Sequence, residues 1–456
     1  MRNEILQKAK KLHFVGIGGI SMSSLALLAR RVGYSVSGSD RSDSFLVEEC
    51  RKAGCQITLG HFAESVEGAD AVIYTAAVSF DSPELKRASE LSIPCFSRAE
   101  FLGDVMLAYP CRIGISGTHG KTTTTSMTAH ILIENQKDPT VANGAVSAAL
   151  NGSALRIGAE EFFVYEACEY KASFHSFFPT VAVLTNVELD HTDFYTSLDH
   201  ITESFRKSLV GADLAIVNGD DENAMKAASD FAGELIRFSL KDETADYFAK
   251  EITFVDGRAN FTLCYRGEAV CKVNLPLIGH FNIANALAAL AASHNCGVSL
   301  KDAAESLATF RGAARRFELK FKYNGITVAD DYAHHPSEIA ATLAGAKNTG
   351  AERIITIFQP HTYSRTHDLF EGFVKALSAS DMVILPDIYA ARETDTLGVS
   401  SEKLANAIGE KARYMGDFAK IADFLAEEAK KGDLILTMGA GDVYKIANLL
   451  KNALEK

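Results

Sequence analysis

The chain has 456 residues, of which 47% are hydrophobic and 23% are charged, and its formal charge is −12 at neutral pH. This length is typical of three domains of about 150 residues each, and the apolar content is sufficient for several cores. The acidic balance excludes a non-specific nucleic-acid binder, which would carry a basic stripe. We therefore expect a soluble multidomain protein with no nucleic-acid partner.

The cysteines and the N-terminal segment predict the cellular compartment. Eight cysteines are scattered along the chain without a Cys-x-x-Cys pair, which is typical of reduced, structural thiols. The N-terminus lacks the apolar segment and the small-residue cleavage site of a signal peptide, and no run of about 18 uncharged apolar residues follows. The sequence thus predicts a cytoplasmic protein without membrane insertion.

Short apolar runs of β-forming residues alternate with longer helical patterns in three successive blocks. This alternation is the signature of βαβ units and parallel sheets, so an α/β fold is expected. The blocks predict three α/β domains, at residues 1–104, 105–312 and 313–456, of which the first and the third are expected to be Rossmann-like.

A glycine turn follows the first predicted strand, Leu12–Ile17, and opens the helix Ser21–Arg31. In that context a diphosphate binds the free N–H groups of the helix N-terminus, and glycine permits close backbone approach. Asp40 ends the next strand, where an acidic residue commonly binds a ribose hydroxyl. Because Ser21 replaces the last glycine of the dinucleotide fingerprint, three interpretations stay open: a diphosphate site, a nicotinamide-dependent dehydrogenase and a tight structural turn.

A second glycine turn, residues 117–123 with the sequence GTHGKTT, follows the strand Arg112–Ser116 and begins a helix. Backbone N–H groups of such a loop cradle the β-phosphate of a nucleotide, and Lys121 brings a positive charge to the β and γ oxygens. The Thr122 hydroxyl is placed to bind Mg²⁺. The general P-loop has four residues between its glycines, whereas two separate Gly117 from Gly120 here. The turn therefore predicts a P-loop-type ATPase site in the central domain, with a glycine spacing that differs from that of the general P-loop.

Two further residues are candidate magnesium ligands. Glu166 ends the strand Phe162–Glu166, and His191 follows the strand Val181–Thr185. Both come after strands downstream of the phosphate loop, at the sheet edge where α/β proteins bind ligands. Taken alone, each residue type is more often a surface or core residue.

Charged residues mark the start of the third block. Arg315 and Arg316 end the second block, and Asp331 opens the third, which suits a nucleotide bound at a domain junction. Solvated charge at a linker is the alternative interpretation. His361 and Arg365 follow a later strand, where their cations suit a carboxylate or phosphate ligand.

These motifs resemble those of the Mur ligase family from one end of the chain to the other, in register and in order. The matching segments are Gly117–Thr123, Glu166–Lys171, Thr185–His191, Gly279–Ala286, Arg315–Glu318, Asp330–Pro336 and Phe358–Thr366. Two segments depart from the pattern of many relatives, namely Thr362 in place of arginine and the run Tyr74–Ala77.

The resemblance implies an ATP- and Mg²⁺-dependent ligase that forms an amide bond through an acyl phosphate. Within the family, the third-block motifs are most similar to the member that adds L-alanine to UDP-N-acetylmuramate in peptidoglycan precursor synthesis. The alternative is the sibling that attaches recycled murein tripeptide to the same substrate. We expect a monomer or a weak homodimer.

The resemblance also assigns residues to each part of the site. Lys121, Glu166 and His191 are implied in catalysis, and Thr122, Glu166 and His191 in metal binding. ATP is assigned to Gly117, Thr118, His119, Gly120, Lys121, Thr122, Thr123, His280, Asn282, Asn285, Arg315, Arg316 and Asp331. The UDP substrate is assigned to Gly16, Gly18, Gly19, Ile20, Ser21, Asp40 and His61, and the amino acid to His335, His361 and Arg365. For Asn282 and Asn285, capping of a helix start is the structural alternative.

Overall fold

The computed structural model describes residues 3–75, 78–192, 194–391 and 393–455, so Ala76 and Ala77 of the departing run lie outside the described residues. Its strands form three sheets, of five, ten and six strands in chain order. The residues fall into two compact units, one of 1–187, 202–237 and 292–298, the other of 188–201, 238–291 and 299–456. The five-stranded sheet belongs to the first unit and the six-stranded sheet to the second.

The first sheet is built from short strands separated by helices. Its strands are Lys11–Val15 (β1), Ser35–Asp40 (β2), Gln56–Leu59 (β3), Ala71–Tyr74 (β4) and Cys95–Ser97 (β5), and the helices are Glu4–Lys8 (α1), Ile20–Arg31 (α2), Phe45–Lys52 (α3), Pro83–Glu90 (α4) and Arg98–Met106 (α5). The order is β3-β2-β1-β4-β5 and every pair is parallel. This topology confirms the Rossmann-like prediction and brings the carboxyl ends of β1 and β2 together at one edge.

The second sheet carries the phosphate loop. Its strands are Cys111–Ser116 (β6), Thr140–Ser147 (β7), Ser153–Arg156 (β8), Phe162–Glu166 (β9), Val181–Leu184 (β10), Leu214–Asn218 (β11), Glu234–Ser239 (β12), Tyr247–Val255 (β13), Arg258–Tyr265 (β14) and Glu268–Leu275 (β15). The helices are Lys121–Glu134 (α6), Leu198–Ser208 (α7), Glu222–Ala227 (α8), His280–Asn295 (α9) and Leu300–Leu307 (α10).

The strand order of the second sheet places the loop at its centre. The order is β15-β14-β13-β12-β11-β10-β6-β9-β7-β8, and β6 pairs in parallel with both β10 and β9. The loop after β6 therefore emerges beside the ends of two neighbouring strands, which is where a parallel sheet binds ligands. At the far edges, β8 and the hairpins of β13–β15 are antiparallel, and the sequence analysis did not predict them.

The third sheet is mostly parallel. Its strands are Glu318–Tyr323 (β16), Ile326–Asp331 (β17), Arg353–Phe358 (β18), Met382–Leu385 (β19), Ala412–Tyr414 (β20) and Asp433–Met438 (β21). The helices are Pro336–Lys347 (α11), Tyr363–Asp368 (α12), Phe370–Leu377 (α13), Ser401–Ile408 (α14), Phe418–Glu428 (α15) and Lys445–Leu454 (α16). The order is β16-β17-β21-β18-β19-β20, and only β16 is antiparallel to its neighbour. All six residues of β21 are buried, as expected for a parallel strand with both faces covered.

Within the described residues, no helix combines the length and the apolar character needed to cross a membrane.

We predict that truncation of the buried strand β21 destabilises the protein strongly. Leu436 is fully buried, so Leu436→Ala leaves a cavity and should lower the free energy of unfolding by about 2–5 kcal/mol. Leu319→Ala is the matched control, because Leu319 lies in β16 and is 56% exposed, and it should cost less than about 0.5 kcal/mol. Urea denaturation followed by far-UV circular dichroism measures both, and equal costs would contradict the buried position of β21.

Candidate functional site

The phosphate loop is a left-handed turn that only glycine accommodates well. Gly117 has φ +139°, and a Cβ atom at this position would strike the Thr185 hydroxyl. Gly120, the residue before α6, has φ +84°. The first N–H to bond within the helix belongs to Thr124, which donates to the carbonyl of Gly120 at 2.9 Å. The N-terminus of α6 therefore opens directly onto the loop, as anion binding requires.

Residues after the neighbouring strand β10 fix the shape of this loop. The N–H of Thr118 donates to the carbonyl of Asn186 at 3.0 Å, and the N–H of His119 donates to the Asn186 side-chain oxygen at 2.8 Å. The Thr185 hydroxyl donates to the carbonyl of His119 at 2.6 Å. The pair Thr185 and Asn186 thus acts as a scaffold that holds the loop before any ligand binds.

Lys121 is held by a buried carboxylate that the sequence motifs did not assign. Its Nζ lies 2.8 Å from Oε2 of Glu169 and donates to the carbonyls of Gly117 and Thr118 at 2.6 and 2.9 Å. Burial alone would lower the pKa of Lys121, but the carboxylate of Glu169 raises it above its usual value. The lysine is therefore a fixed positive charge at the mouth of the loop.

The Thr122 hydroxyl and the Glu166 carboxylate meet beside the loop. Thr122 Oγ1 donates to Glu166 Oε2 at 2.7 Å, and the N–H of Gly144 donates to the same oxygen at 3.0 Å. A Cβ atom at Gly144 would collide with this carboxylate, so glycine is required for its approach. A hydroxyl and a carboxylate are hard oxygen donors, and this donor set suits Mg²⁺. The structure thus brings together two of the three predicted metal ligands.

His191, the third predicted ligand, belongs to the second compact unit. Its backbone has φ +52°, and its N–H donates to the Asp190 carboxylate at 2.6 Å. A non-glycine residue in the left-handed region indicates that the surrounding structure imposes the conformation.

The first glycine turn uses its own N–H groups internally. The N–H groups of Gly16 and Ile17 donate to the carbonyl of Ser39 at 2.8 and 3.0 Å, and that of Gly19 donates to Gly16. The N–H of Gly18 donates to Asp40 Oδ2 at 2.8 Å, and a Cβ on Gly18 would come within 2.8 Å of that oxygen. The same Cβ would come within 2.8 Å of Val47 Cγ2, so glycine at position 18 is explained by the approach of the protein's own Asp40 and Val47.

The donors at this turn that remain for a ligand lie one step further along the chain. In the described part of the chain, the N–H groups of Ile20, Ser21 and Met22 make no hydrogen bond, and the first helical bond is from Ser23 to Gly19. An anion at this end would therefore bind the first turn of α2, and the glycines before it shape the entry. Among the predicted residues, Ile20 and Ser21 thus have N–H groups available for an anion, whereas the N–H of Gly16 donates to Ser39.

A second cluster lies within the second unit, after β10 and β18. Arg365 Nη2 donates to Asp190 Oδ1 at 3.0 Å, and its Nη1 lies 3.4 Å from Nδ1 of His361. Burial raises the pKa of Asp190, but the Arg365 guanidinium lowers it well below the usual range. The His361 ring stacks on Tyr389 at 5.5 Å, and burial lowers the pKa of His361 to about 4. Arg365 therefore supplies the fixed positive charge while His361 stays neutral.

The backbone before Arg365 is strained. Thr362, which departs from the family pattern, begins α12 with φ +64° and ψ +148°. Such a conformation is costly for a β-branched residue and persists only where neighbours impose it. Its N–H donates to the carbonyl of Tyr389 at 2.9 Å, and its carbonyl accepts from the Thr366 hydroxyl at 2.6 Å. The turn thus fixes the direction in which α12 presents Arg365.

His335 begins α11 and is linked to a carboxylate after β10. Its Nδ1 lies 2.7 Å from the Ser337 hydroxyl, and this hydroxyl donates to Glu188 Oε2 at 2.7 Å. The adjacent His334 is buried, which lowers its pKa to about 4 despite the carboxylate of Glu338. His335 and Arg365 therefore both depend on acidic residues of one segment, Glu188–Asp190.

Of the paired arginines, Arg315 is fully engaged within the protein. Its Nε donates to Asp330 at 2.9 Å, and its two terminal nitrogens donate to the carbonyls of Gly441 and Gly439 at 3.1 and 2.6 Å. Its guanidinium also lies between the rings of Tyr332 and Tyr444. These contacts favour a structural role for Arg315. The guanidinium of Arg316 lies 5.3 Å from the centre of the Tyr332 ring, and its contact with phosphate stays a prediction.

Asp331 has a similar internal role. Its two oxygens accept the N–H groups of Phe317 and Ala333 at 2.8 and 2.7 Å. Burial raises the pKa of Asp331 to about 6. The carboxylate therefore ties the start of β16 to the end of β17, and its contact with a nucleotide stays a prediction.

The predicted adenine segment opens helix α9. Asn282 donates to the carbonyl of Ile278 at 2.9 Å, and Asn285 donates to the Asn282 oxygen at 3.2 Å. Both asparagines lie inside α9, which begins at His280, so neither occupies the N-cap position. His280 packs edge-on against Phe254 at 5.0 Å. The two buried amides form a polar pair, which agrees with base recognition and does not test it.

Sequence reasoning missed the acidic partners of the predicted cations. Glu169 holds Lys121, Asp190 holds Arg365 and Glu188 reaches the serine that contacts His335. All three lie inside segments that were matched to the family, but their spacing from the cations, 48 to 175 residues, gave no signal. Lys121 and Glu169 come together because β6 and β9, the strands that they follow, are neighbours in the sheet.

Comparison with known proteins extends over nearly the whole chain. Residues 11–110 match the Mur ligase family catalytic domain, 115–293 the Mur ligase middle domain and 315–441 the glutamate ligase domain of Mur ligases. The fold and the phosphate loop therefore define a ligase of a known class. The chain belongs to the Mur ligase family.

Individual relatives are similar over their full lengths. The UDP-N-acetylmuramate–L-alanine ligase of Caldanaerobacter subterraneus subsp. tengcongensis is 45% identical, with 97% of each chain covered. The enzyme of the same name from Clostridium novyi is 44% identical over 99% of each chain. Among solved structures, the UDP-N-acetylmuramate–alanine ligase of Thermotoga maritima has a TM-score of 0.82 at 30% identity, covering 98% of this chain and 99% of that one. A murein peptide ligase from Psychrobacter arcticus has a TM-score of 0.72 at 27% identity, with 98% of each covered.

We predict that Lys121→Met abolishes turnover and also destabilises the protein. It removes the charge that is predicted to face the phosphates of ATP, at a cost of at least about 100-fold in kcat. It also leaves Glu169 buried without its partner, which should cost about 3–5 kcal/mol of unfolding free energy. Adding Glu169→Gln should return most of the stability and none of the activity. Steady-state kinetics and urea denaturation measure the two effects, with the exposed Lys207→Met as the control; a stable, active Lys121→Met variant would refute the assignment.

Proposed function

We propose that the chain is an ATP-dependent ligase that forms the amide bond between UDP-N-acetylmuramate and L-alanine in peptidoglycan precursor synthesis. The observation that carries this proposal is its identity of 42–45%, over 96–99% of its length, to relatives that bear this activity in their names. We also propose that the predicted limits after residues 104 and 312 separate three domains, for the UDP substrate, for ATP and for the amino acid.

The chemistry explains why the chain needs a phosphate site and an amino-acid site. A carboxylate is a poor electrophile, so the γ-phosphoryl group of ATP is transferred to it, which gives ADP and an acyl phosphate. The neutral amine of alanine then attacks the acyl carbon, and the tetrahedral intermediate collapses to the amide and phosphate. Catalysis of such steps consists mainly of positioning and of neutralising charge.

The residues of the first unit supply the charge for the phosphoryl step. Lys121 is held by Glu169 and by two loop carbonyls, so its ammonium is in place before ATP binds. The N-terminus of α6 adds backbone donors at the same position. Magnesium, when bound, supplies positive charge to the phosphate oxygens, and Thr122, Glu166 and His191 are the residues proposed to hold it.

The cluster around Arg365 is proposed to bind alanine. A guanidinium has five N–H donors, and Asp190 accepts one of them, so others remain for the carboxylate of the amino acid. Nη1 of Arg365 lies 3.4 Å from Nδ1 of His361, and we propose that His361 and His335 contact the same amino acid.

The direct test is phosphate release from ATP with UDP-N-acetylmuramate across a panel of L-alanine, glycine, L-serine, L-valine and free tripeptide. L-Alanine should give the highest kcat/KM. Glycine lacks one methyl group, and a missing methyl group is worth about 1–3 kcal/mol, so it should be about 10- to 200-fold poorer. Tripeptide should give no release above background. Faster turnover with tripeptide than with L-alanine would identify the chain as the recycling sibling.

We predict that Arg365→Lys separates amino-acid binding from nucleotide binding. Lysine keeps the charge but cannot reproduce the planar fork that holds a carboxylate through two parallel bonds. The KM for L-alanine should rise about tenfold, as expected for the loss of one charge-assisted hydrogen bond, and the KM for ATP should change less than about twofold. Arg413→Lys, an exposed position of the same domain, is the control, and equal changes in both KM values would exclude Arg365 as the carboxylate partner.

A further inference from the structure

The buried carboxylate of Glu84, which no sequence motif indicated, joins His13 of β1 to His61, one of the residues predicted to bind the UDP substrate. Glu84 lies in the first turn of α4, directly after Pro83, and its side chain is 0% exposed. Its Oε1 lies 3.3 Å from Nε2 of His13, and its Oε2 lies 2.7 Å from Nδ1 of His61. A buried charge is costly unless it is paired, so this arrangement requires its partners.

The carboxylate fixes the tautomer of each ring. Burial raises the pKa of Glu84, but hydrogen bonds from His13 and Ser39 lower it overall, so the group is ionised and can only accept. The nitrogens that face it must therefore carry protons, namely Nε2 of His13 and Nδ1 of His61. Nδ1 of His13 is then free to accept from the Ser37 hydroxyl at 2.9 Å. Each ring has one defined orientation.

His61 is thereby placed next to the first glycine turn. Ser39 links the two, because its hydroxyl lies 3.2 Å from His61 Nδ1 while its carbonyl accepts the N–H groups of Gly16 and Ile17. The His61 side chain is 20% exposed, and in the described part of the chain its Nε2 makes no hydrogen bond. The same turn leads into the unbonded N–H groups at the start of α2.

We propose that Glu84 is a positioning residue that holds His61 with its Nε2 as the acceptor for a ribose hydroxyl of a nucleoside diphosphate whose phosphates bind at the start of α2. This inference rests on the proposed function, because the UDP substrate brings that nucleotide. A ring that is already oriented loses less conformational freedom when the ligand binds, so the buried carboxylate contributes to affinity without touching the ligand. If Glu84 instead serves only to anchor α4 to the sheet, its removal lowers stability and leaves ligand affinity unchanged.

The test uses the full-length chain and UDP as the probe. Calorimetry compares the wild type with Glu84→Gln, His61→Ala, the double variant, and Glu90→Gln as the matched exposed control on α4. Each single variant should bind UDP about tenfold more weakly, as expected for the loss of one hydrogen bond to the ligand, and the control should bind as the wild type does. The double variant should be no weaker than His61→Ala, because Glu84 acts through His61. Glu84→Asp, which keeps the charge, should recover part of the affinity.

Kinetics provide a second readout that a structural role would not move. The KM for UDP-N-acetylmuramate should rise about tenfold in Glu84→Gln, while kcat and the KM for ATP change less than about twofold.

Unchanged UDP affinity in a folded Glu84→Gln variant, or additive losses in the double variant, would overturn the proposal. If that variant does not fold, the ¹⁵N resonances of His61 in the wild type decide, and an unprotonated Nδ1 overturns it. A wild type that binds UDP but does not turn over UDP-N-acetylmuramate defeats the proposed function alone, and one that does not bind UDP defeats both.

Discussion

The candidate sites depend on pairing each cation with a carboxylate that the fold has removed from water. The chain carries a formal charge of −12, so it has no excess of positive charge with which to attract phosphate. Lys121 lies against Glu169, Arg365 against Asp190 and Arg315 against Asp330. An ion pair of this kind adds little stability by itself, because desolvation offsets most of the attraction. Its effect is to keep the cation charged and in one position, and this prior positioning is what phosphoryl and acyl transfer require.

Strand order provides these pairings. β6 lies between β9 and β10, so the ends of three strands that are distant in sequence meet beside the phosphate loop. From β9 come Glu166 and the segment that contains Glu169, and from β10 come Thr185 and Asn186, which hold the loop backbone. In the second unit, the segment after β10 supplies Asp190 and Glu188 to residues that follow β17 and β18. The residues that hold the loop and the candidate catalytic residues are thus different residues at the ends of neighbouring strands.

Much of this was predictable from sequence, for identifiable reasons. β9 was located to the residue because a continuous apolar run defines a buried parallel strand. The helix predicted at Ser21–Arg31 was confirmed as α2, which begins one residue earlier at Ile20. The antiparallel strands β13–β15 were missed because one face of each is exposed, and their mixed pattern resembles a loop. The pairing of Lys121 with Glu169 and the internal role of Arg315 depend on sheet order and on ring packing, which no local pattern encodes.

The surroundings of Gly18 change the explanation for glycine at this position of the first glycine turn. A glycine fingerprint is usually taken as the imprint of a ligand that needs room, but at this position the room is taken by the carboxylate of Asp40. Positions 18, 40 and 47 form a single unit of selection, since a side chain at 18 would meet both the carboxylate of Asp40 and the Val47 side chain at 2.8 Å. Across descendants of this fold, these three positions should therefore drift together, even where the ligand itself has changed.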